Sequence, residues 1–119
     1  MSEDIKKQVL HIVKQLEEGV TFEYCGMNAE EYDREPEDII SGLDYLEDAL
    51  DIQYIVNGEG EYLGARVLVA FGGPNIWIDT LNERVEGAWW GDKYNAHYVN
   101  DDMDINEALR MLWECSGQQ

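Results

Sequence analysis

Basic residues are scarce in this chain. Eight Lys and Arg stand against 26 Asp and Glu, a formal net charge of −18 over 119 residues. Two anionic polymers repel each other unless metal ions or a local basic patch intervene, and no such patch occurs, so direct nucleic-acid binding is not expected. Cysteine is almost missing. Cys25 and Cys115 lie ninety positions apart and supply neither a disulfide framework nor a tetrahedral metal cage, which fits a reduced, cytoplasmic setting. No run approaches about 18 consecutive apolar residues, and the opening MSEDIKKQVLHIV lacks a basic stretch followed by a long apolar one. Neither a membrane anchor nor an export signal is expected.

What is present is enough for one core. With 45% hydrophobic and 11% aromatic residues, including four Trp and seven Tyr, the chain reads as a single folded domain over 1–119 rather than an acidic disordered tail. The acidic surplus exceeds what solubility requires and costs stability through self-repulsion.

Helical periodicity opens the chain. Ile5, Val9, Ile12 and Leu16 fall within an arc of roughly 60°, predicting a helix over Ser2 to Glu18 with Ser2 as its cap, Glu3 and Asp4 at its positive end and Gly19 just beyond it. Residues 20–35 read as irregular, with room for helical turns. Pro36 suits the first turn of a second helix running to Leu50, whose buried stripe would be Ile39, Leu43, Leu46 and Leu50. From Asp51 the period becomes two. DIQYIVN, EYLGARVLVAFG, NIWIDT and RVEGAWWGDKYNAHYV predict a four-stranded antiparallel meander joined by the NGEG, GGPN and TLNE turns. A last helix is predicted over Asp104 to Cys115, with Ile105, Ala108, Leu109 and Leu112 inward and Gly117 after its end. The fold class is therefore α+β, with two N-terminal helices, the sheet and a C-terminal helix, the helices on one sheet face and the other face at least partly wet.

Charge is densest between Ala29 and Asp51. Glu30, Glu31, Asp33, Glu35, Glu37, Asp38, Asp44, Glu47, Asp48 and Asp51 are opposed by Arg34 alone. On the expected second helix, Glu37, Asp44, Asp48 and Asp51 would project within roughly 60° of one another, opposite the apolar stripe. Their axial separations, about 10, 6 and 4.5 Å, are of the order of those between neighbouring phosphates, so the ridge would imitate a nucleic-acid strand. Like charges such as Asp44 and Asp48 at i and i+4 weaken a helix slightly, and a locally unfavourable choice repeated this often suggests a use.

Chemistry has little to work with elsewhere. DDMDINE after Asp101 departs from a calcium loop, because position six is Asn106 and position twelve Leu112 where Gly and Glu are needed, and no metal or cofactor is expected. His11 and His97 stand in no nucleophile motif, and a Cys25–His97 pair would need the fold to bring them together. The Gly72–Asn75 segment lacks the Lys and the strand-to-helix order of a phosphate loop. Trp77, Trp89, Trp90, Tyr94 and Tyr98 form an aromatic set in the third and fourth strands. Neighbouring Trp89 and Trp90 would point to opposite faces, and an exposed Trp77 or Trp90 would anchor a partner within the charged rim.

Residues 62–92, YLGARVLVAFGGPNIWIDTLNERVEGAWWGD, resemble small acidic proteins carried on mobile elements of gut Firmicutes, which share a GGPNIW…VEG.WWGD pattern. Such proteins are similar in general character to anti-CRISPR and antirestriction proteins, several of which are nucleic-acid mimics. Together with the acidic ridge, this likeness leads to the expectation of a non-enzymatic inhibitor that occupies the basic nucleic-acid channel of a nuclease, a Cas9-type enzyme being the best single target because its channel grips nucleic acid through Lys and Arg. The inhibitor's partner-binding residues would be Glu30, Glu31, Asp33, Glu37, Asp44, Asp48 and Asp51 with Trp77 and Trp90. Two alternatives stay open. One is an immunity protein against a basic nuclease toxin; the other is a small enzyme or ligand-binding domain using Trp77, Trp90 and His97 on the sheet face. Oligomeric state is not fixed by the sequence.

Overall fold

The computed structural model describes residues 2–116, and the side chains of residues 4–116. The first helix, α1 (Ser2–Glu18), has the expected bounds. Ile5, Val9 and Leu16 are fully buried, each worth about 1.5–3 kcal/mol of apolar burial, and Val13 joins them while Ile12 is half-buried. Gly19 ends the helix at φ +85°, its N–H donating to Gln15 O at 2.8 Å. The side chain of Ser2, expected as the cap, and Gly117, expected after the last helix, lie outside the described residues.

The second predicted helix does not form. Residues 20–50 instead fold as short capped pieces: α2 (Phe22–Cys25), a 3-10 turn (Ala29–Tyr32) and α3 (Gly42–Leu46). The physical reason is competition for the backbone. Phe22 N donates to Asp38 O at 3.0 Å, Glu23 N to Pro36 O at 2.9 Å and Ile40 N to Val20 O at 2.8 Å, so the groups that a helix from Pro36 would pair internally are paired across to residues 20–23. The Asp38 carboxylate closes a local turn by accepting from Glu35 N at 2.8 Å. Of the predicted stripe only Leu46 is buried; Ile39 is half-buried, and Leu43 and Leu50 are exposed.

The sheet has five strands, not four: β1 (Asp51–Val56), β2 (Tyr62–Ala70), β3 (Asn75–Asp79), β4 (Arg84–Trp89) and β5 (Asp92–His97), antiparallel in the order β1-β2-β3-β4-β5. The long fourth strand is split by a two-residue turn at Trp90 and Gly91, with φ of +54° and +86°. Both central residues at positive φ make a type I′ turn, whose twist matches the flanking strands. Trp90 therefore sits at a hairpin tip rather than on the strand face opposite Trp89.

Register sorts the two faces. Ile52, Val67, Ile78, Val85 and Ala96 form one row across the sheet, and this face meets α1 and the last helix, α4 (Ile105–Cys115), in a single core. Ile105, Ala108 and Leu109 of α4 are buried as expected, and Trp113 is added, its ring 5.3 Å from Tyr54 and its indole N–H on Gly60 O at 3.1 Å. The neighbouring row, Gln53, Arg66, Asp79, Arg84 and His97, points to the other side. No described helix is long and apolar enough to cross a membrane.

Candidate functional site

A cleft of about 540 Å³ opens where the short pieces of residues 20–50 meet α1 and the sheet. Its apolar wall is supplied by Ile12, Val20, Ile40, Val67 and Val69, and the solvent-reached part of its lining, the mouth, by Tyr24, Cys25, Tyr32, Asp44, Glu47 and Asp48. Three caps build it. Thr21 Oγ1 accepts from Tyr24 N at 3.1 Å to start α2, Asn28 Oδ1 from Glu30 N at 3.1 Å to start the 3-10 turn, and Ser41 Oγ from Asp44 N at 3.1 Å to start α3. Gly26 and Asp33, both left-handed, end the first two pieces. Each cap-and-stop pair redirects the chain within a few residues, and the pieces wrap the opening instead of running past it.

The electrostatics of the mouth are one-sided. The Tyr32 hydroxyl is raised above its ordinary range, first by burial and then by the carboxylates of Asp44 and Glu47, on α3 and its C-cap, and of Glu31, its neighbour on the 3-10 turn. Burial pushes Tyr45, on the cleft's inner side, up to about 12, and its hydroxyl donates to Gln15 Oε1 at 3.4 Å. Both phenols stay neutral at ordinary pH. Asp44 Oδ2 accepts from Ser41 Oγ at 3.0 Å, whereas Glu47 and Asp48 have no cationic partner among the described residues. Between residues 29 and 51 the one ion pair described is Arg34 with Asp38 at 3.3 Å. The backbone N–H of Glu35 chiefly holds this carboxyl below its usual range, the Arg34 guanidinium assisting.

The predicted partner-binding residues are dispersed by this arrangement. Glu30 and Glu31 lie on the 3-10 turn, Asp33 just after it, Glu37 in the turn following Pro36, Asp44 on α3 and Asp48 beyond its end. The helical ridge of Glu37, Asp44, Asp48 and Asp51 does not exist, because no continuous helix carries it. Asp51 opens β1 opposite Leu68, in the row that continues through Trp77 on the far face of the sheet. Asp44 and Asp48 share the cleft mouth. Trp90 is 78% exposed at its hairpin tip. The cleft residues that sequence reading missed are Glu47 as a site member and the tyrosines Tyr24, Tyr32 and Tyr45; their spacing follows neither a helical nor a strand period because three separate pieces carry them.

The far sheet face is chemically different. Arg66 lies over the Trp77 ring, 4.4 Å from its centroid, and pairs with Glu86 at 3.0 Å; Arg84 pairs with Glu86 at 2.8 Å and approaches Asp79 at 3.8 Å. A shallow depression there of about 360 Å³ is lined by Arg66, Asn75, Trp77, Lys93 and Asn95, with neither Trp90 nor His97 in its wall. Cys25 lines the cleft on the helix side and His97 belongs to the opposite face, so the two do not form a nucleophile–base pair. Asp101 caps α4, its carboxylate accepting from Ile105 N at 2.8 Å and Asn106 N at 2.9 Å, while Asp104 sits left-handed with no capping bond. Among the described residues no three His, Cys, Asp or Glu are grouped to hold a metal ion. Comparison with protein-family models, with curated proteins and with solved structures finds no match to the chain, so the reading of the site rests on its geometry.

Proposed function

We propose that the protein is a non-enzymatic inhibitor that binds the basic nucleic-acid-binding surface of a nuclease, with a Cas9-type enzyme the best single target. The observation that carries this reading is that Asp44 and Glu47, on α3 and its C-cap, converge with Glu31 of the 3-10 turn around Tyr32, while Glu47 and Asp48 are exposed with no cationic partner among the described residues. Carboxylates held on capped turns keep their spacing when a partner arrives, so they exchange for phosphates on Lys and Arg at little ordering cost. The long-range field of the acidic surplus steers that encounter and makes it salt-sensitive. In this arrangement the contact is a patch around the cleft mouth rather than a linear imitation of a strand. An immunity protein against a basic nuclease toxin would use the same patch, and the identity of the partner separates the two.

The test is inhibition of DNA cleavage by a purified Cas9-type nuclease. Inhibition is expected to compete with DNA and to weaken at least tenfold between about 50 and about 200 mM salt. Glu31→Lys, Glu47→Lys and Asp48→Lys together should abolish it while the circular dichroism stays unchanged, since like charges across an interface cost several kcal/mol. Salt-independent inhibition, or full inhibition by the triple variant, would sink the reading.

A further inference from the structure

The cleft is more than an acidic surface, because its wall is apolar. Its volume of about 540 Å³ falls within the roughly 300–1,000 Å³ of ligand pockets. A bare metal cation does not suit it, since hard cations need several oxygen ligands and the wall here is Ile12, Val20, Ile40, Val67 and Val69. A purely apolar occupant would bury Asp44, Glu47 and Asp48 without a counter-charge, and an acidic occupant would be repelled. A segment with both kinds of side chain satisfies both zones: apolar side chains enter the wall, while neighbouring Lys or Arg, whose methylenes lie along apolar surface, keep their charge at the rim near the acidic residues.

We propose that the cleft is a docking groove for a short protein segment in which apolar residues alternate with Lys or Arg. This rests on the partner class proposed above and adds to it: the groove selects for separate apolar side chains beside the charge, whereas phosphate mimicry by itself selects for charge only. Cys25 provides the readout. It is an exposed free thiol at the cleft mouth, and the other cysteine, Cys115, is removed by Cys115→Ser.

The experiment measures alkylation of Cys25 by N-ethylmaleimide in that background, with the blocked peptide Leu-Arg-Leu-Arg-Leu as probe and Gly-Arg-Gly-Arg-Gly and Leu-Glu-Leu-Glu-Leu as controls. At ten times its Kd the first peptide should slow alkylation about tenfold. The glycine peptide of equal charge should bind at least about tenfold more weakly, and the glutamate peptide should give no protection. The isosteric pair Glu47→Gln and Asp48→Asn should weaken binding about fivefold, and Ala49→Phe, which fills the groove and leaves the charge untouched, should abolish protection. Equal binding of the two arginine peptides, or unchanged binding to the isosteric pair, would overturn the groove; if Ala49→Phe fails to fold by thermal unfolding, the isosteric pair decides. Full inhibition of the nuclease by a folded Ala49→Phe variant would refute the groove and leave the acidic patch standing. Salt-independent inhibition would refute the patch whatever the peptides do.

Discussion

Residues 29–51 set ten carboxylates against one base, while residues 62–97 set Asp79, Glu83, Glu86 and Asp92 against Arg66, Arg84 and Lys93. The difference lies in engagement as well as in number. In the sheet, one face gathers the partners: Arg84 stands opposite Asp79 across β3–β4, Glu86 follows Arg84 two residues on along β4, and Arg66 reaches Glu86 from β2, so the four neutralise one another, and Asp79 also accepts from Leu81 N and Asn82 N to hold the β3–β4 turn. In the acidic flank the chain is short capped pieces, which spend Asp38 on a turn and leave Glu47 and Asp48 uncompensated. Net charge is thus partitioned by secondary structure: a self-compensated scaffold supports an uncompensated mouth.

That comparison can be tested by perturbing each region in turn. The largest effect is expected at high pH in the flank. Tyr45 titrates near 12 in the folded protein against an ordinary 10.0, so the fold holds it protonated; its contribution is whole below pH 10 and is lost as the pH rises toward 12, about 2–3 kcal/mol in all. Urea unfolding at pH 9 and 11.5 should show this loss, and Tyr45→Phe should shrink it. Burial also raises Tyr98, so part of the alkaline loss should remain in that variant.

Next comes the scaffold. A Cβ on Gly64 would stand 2.8 Å from Leu81 Cβ and 2.9 Å from its backbone N and Cα, so Gly64→Ala should cost about 2 kcal/mol, whereas Gly58→Ala, with nothing within 4 Å, should change stability by under about 0.5 kcal/mol. Equal effects of the two variants in chemical denaturation would remove the scaffold from the comparison. Ser41→Ala should cost about 1 kcal/mol by uncapping α3, with the Tyr32 environment responding in tyrosine fluorescence. The smallest effect has the opposite sign: Trp90→Asn should stabilise the β4–β5 hairpin by about 0.5 kcal/mol in thermal unfolding, because Asn adopts positive φ more readily than Trp.

Much of the fold was legible because single periods ran uninterrupted. The spacing of Ile5, Val9, Ile12 and Leu16 placed α1 at its bounds, and alternation through residues 51–79 placed three strands in order. The fourth strand was misread because Trp90 is a rare residue for a type I′ turn, and only Gly91 marks it. The second helix was misread because its apparent stripe of Ile39, Leu43, Leu46 and Leu50 mimics a helix, while Ser41 beside Gly42 carries the true start. Of the candidate site, the sequence located the acidic segment, and Asp44 and Asp48 do meet at the cleft mouth. It did not separate them from Asp51, Trp77 and Trp90, nor join them to Tyr32 and Glu47.

By itself the sequence determined the α+β class, the antiparallel meander, α1, α4 and the address of the charge, because helix and strand periods and local composition act over neighbouring residues. The tertiary structure alone decided the cleft. Backbone pairing of residues 36–40 with residues 20–23 displaced a locally acceptable helix, and contacts between residues far apart in the chain cannot be read from a period.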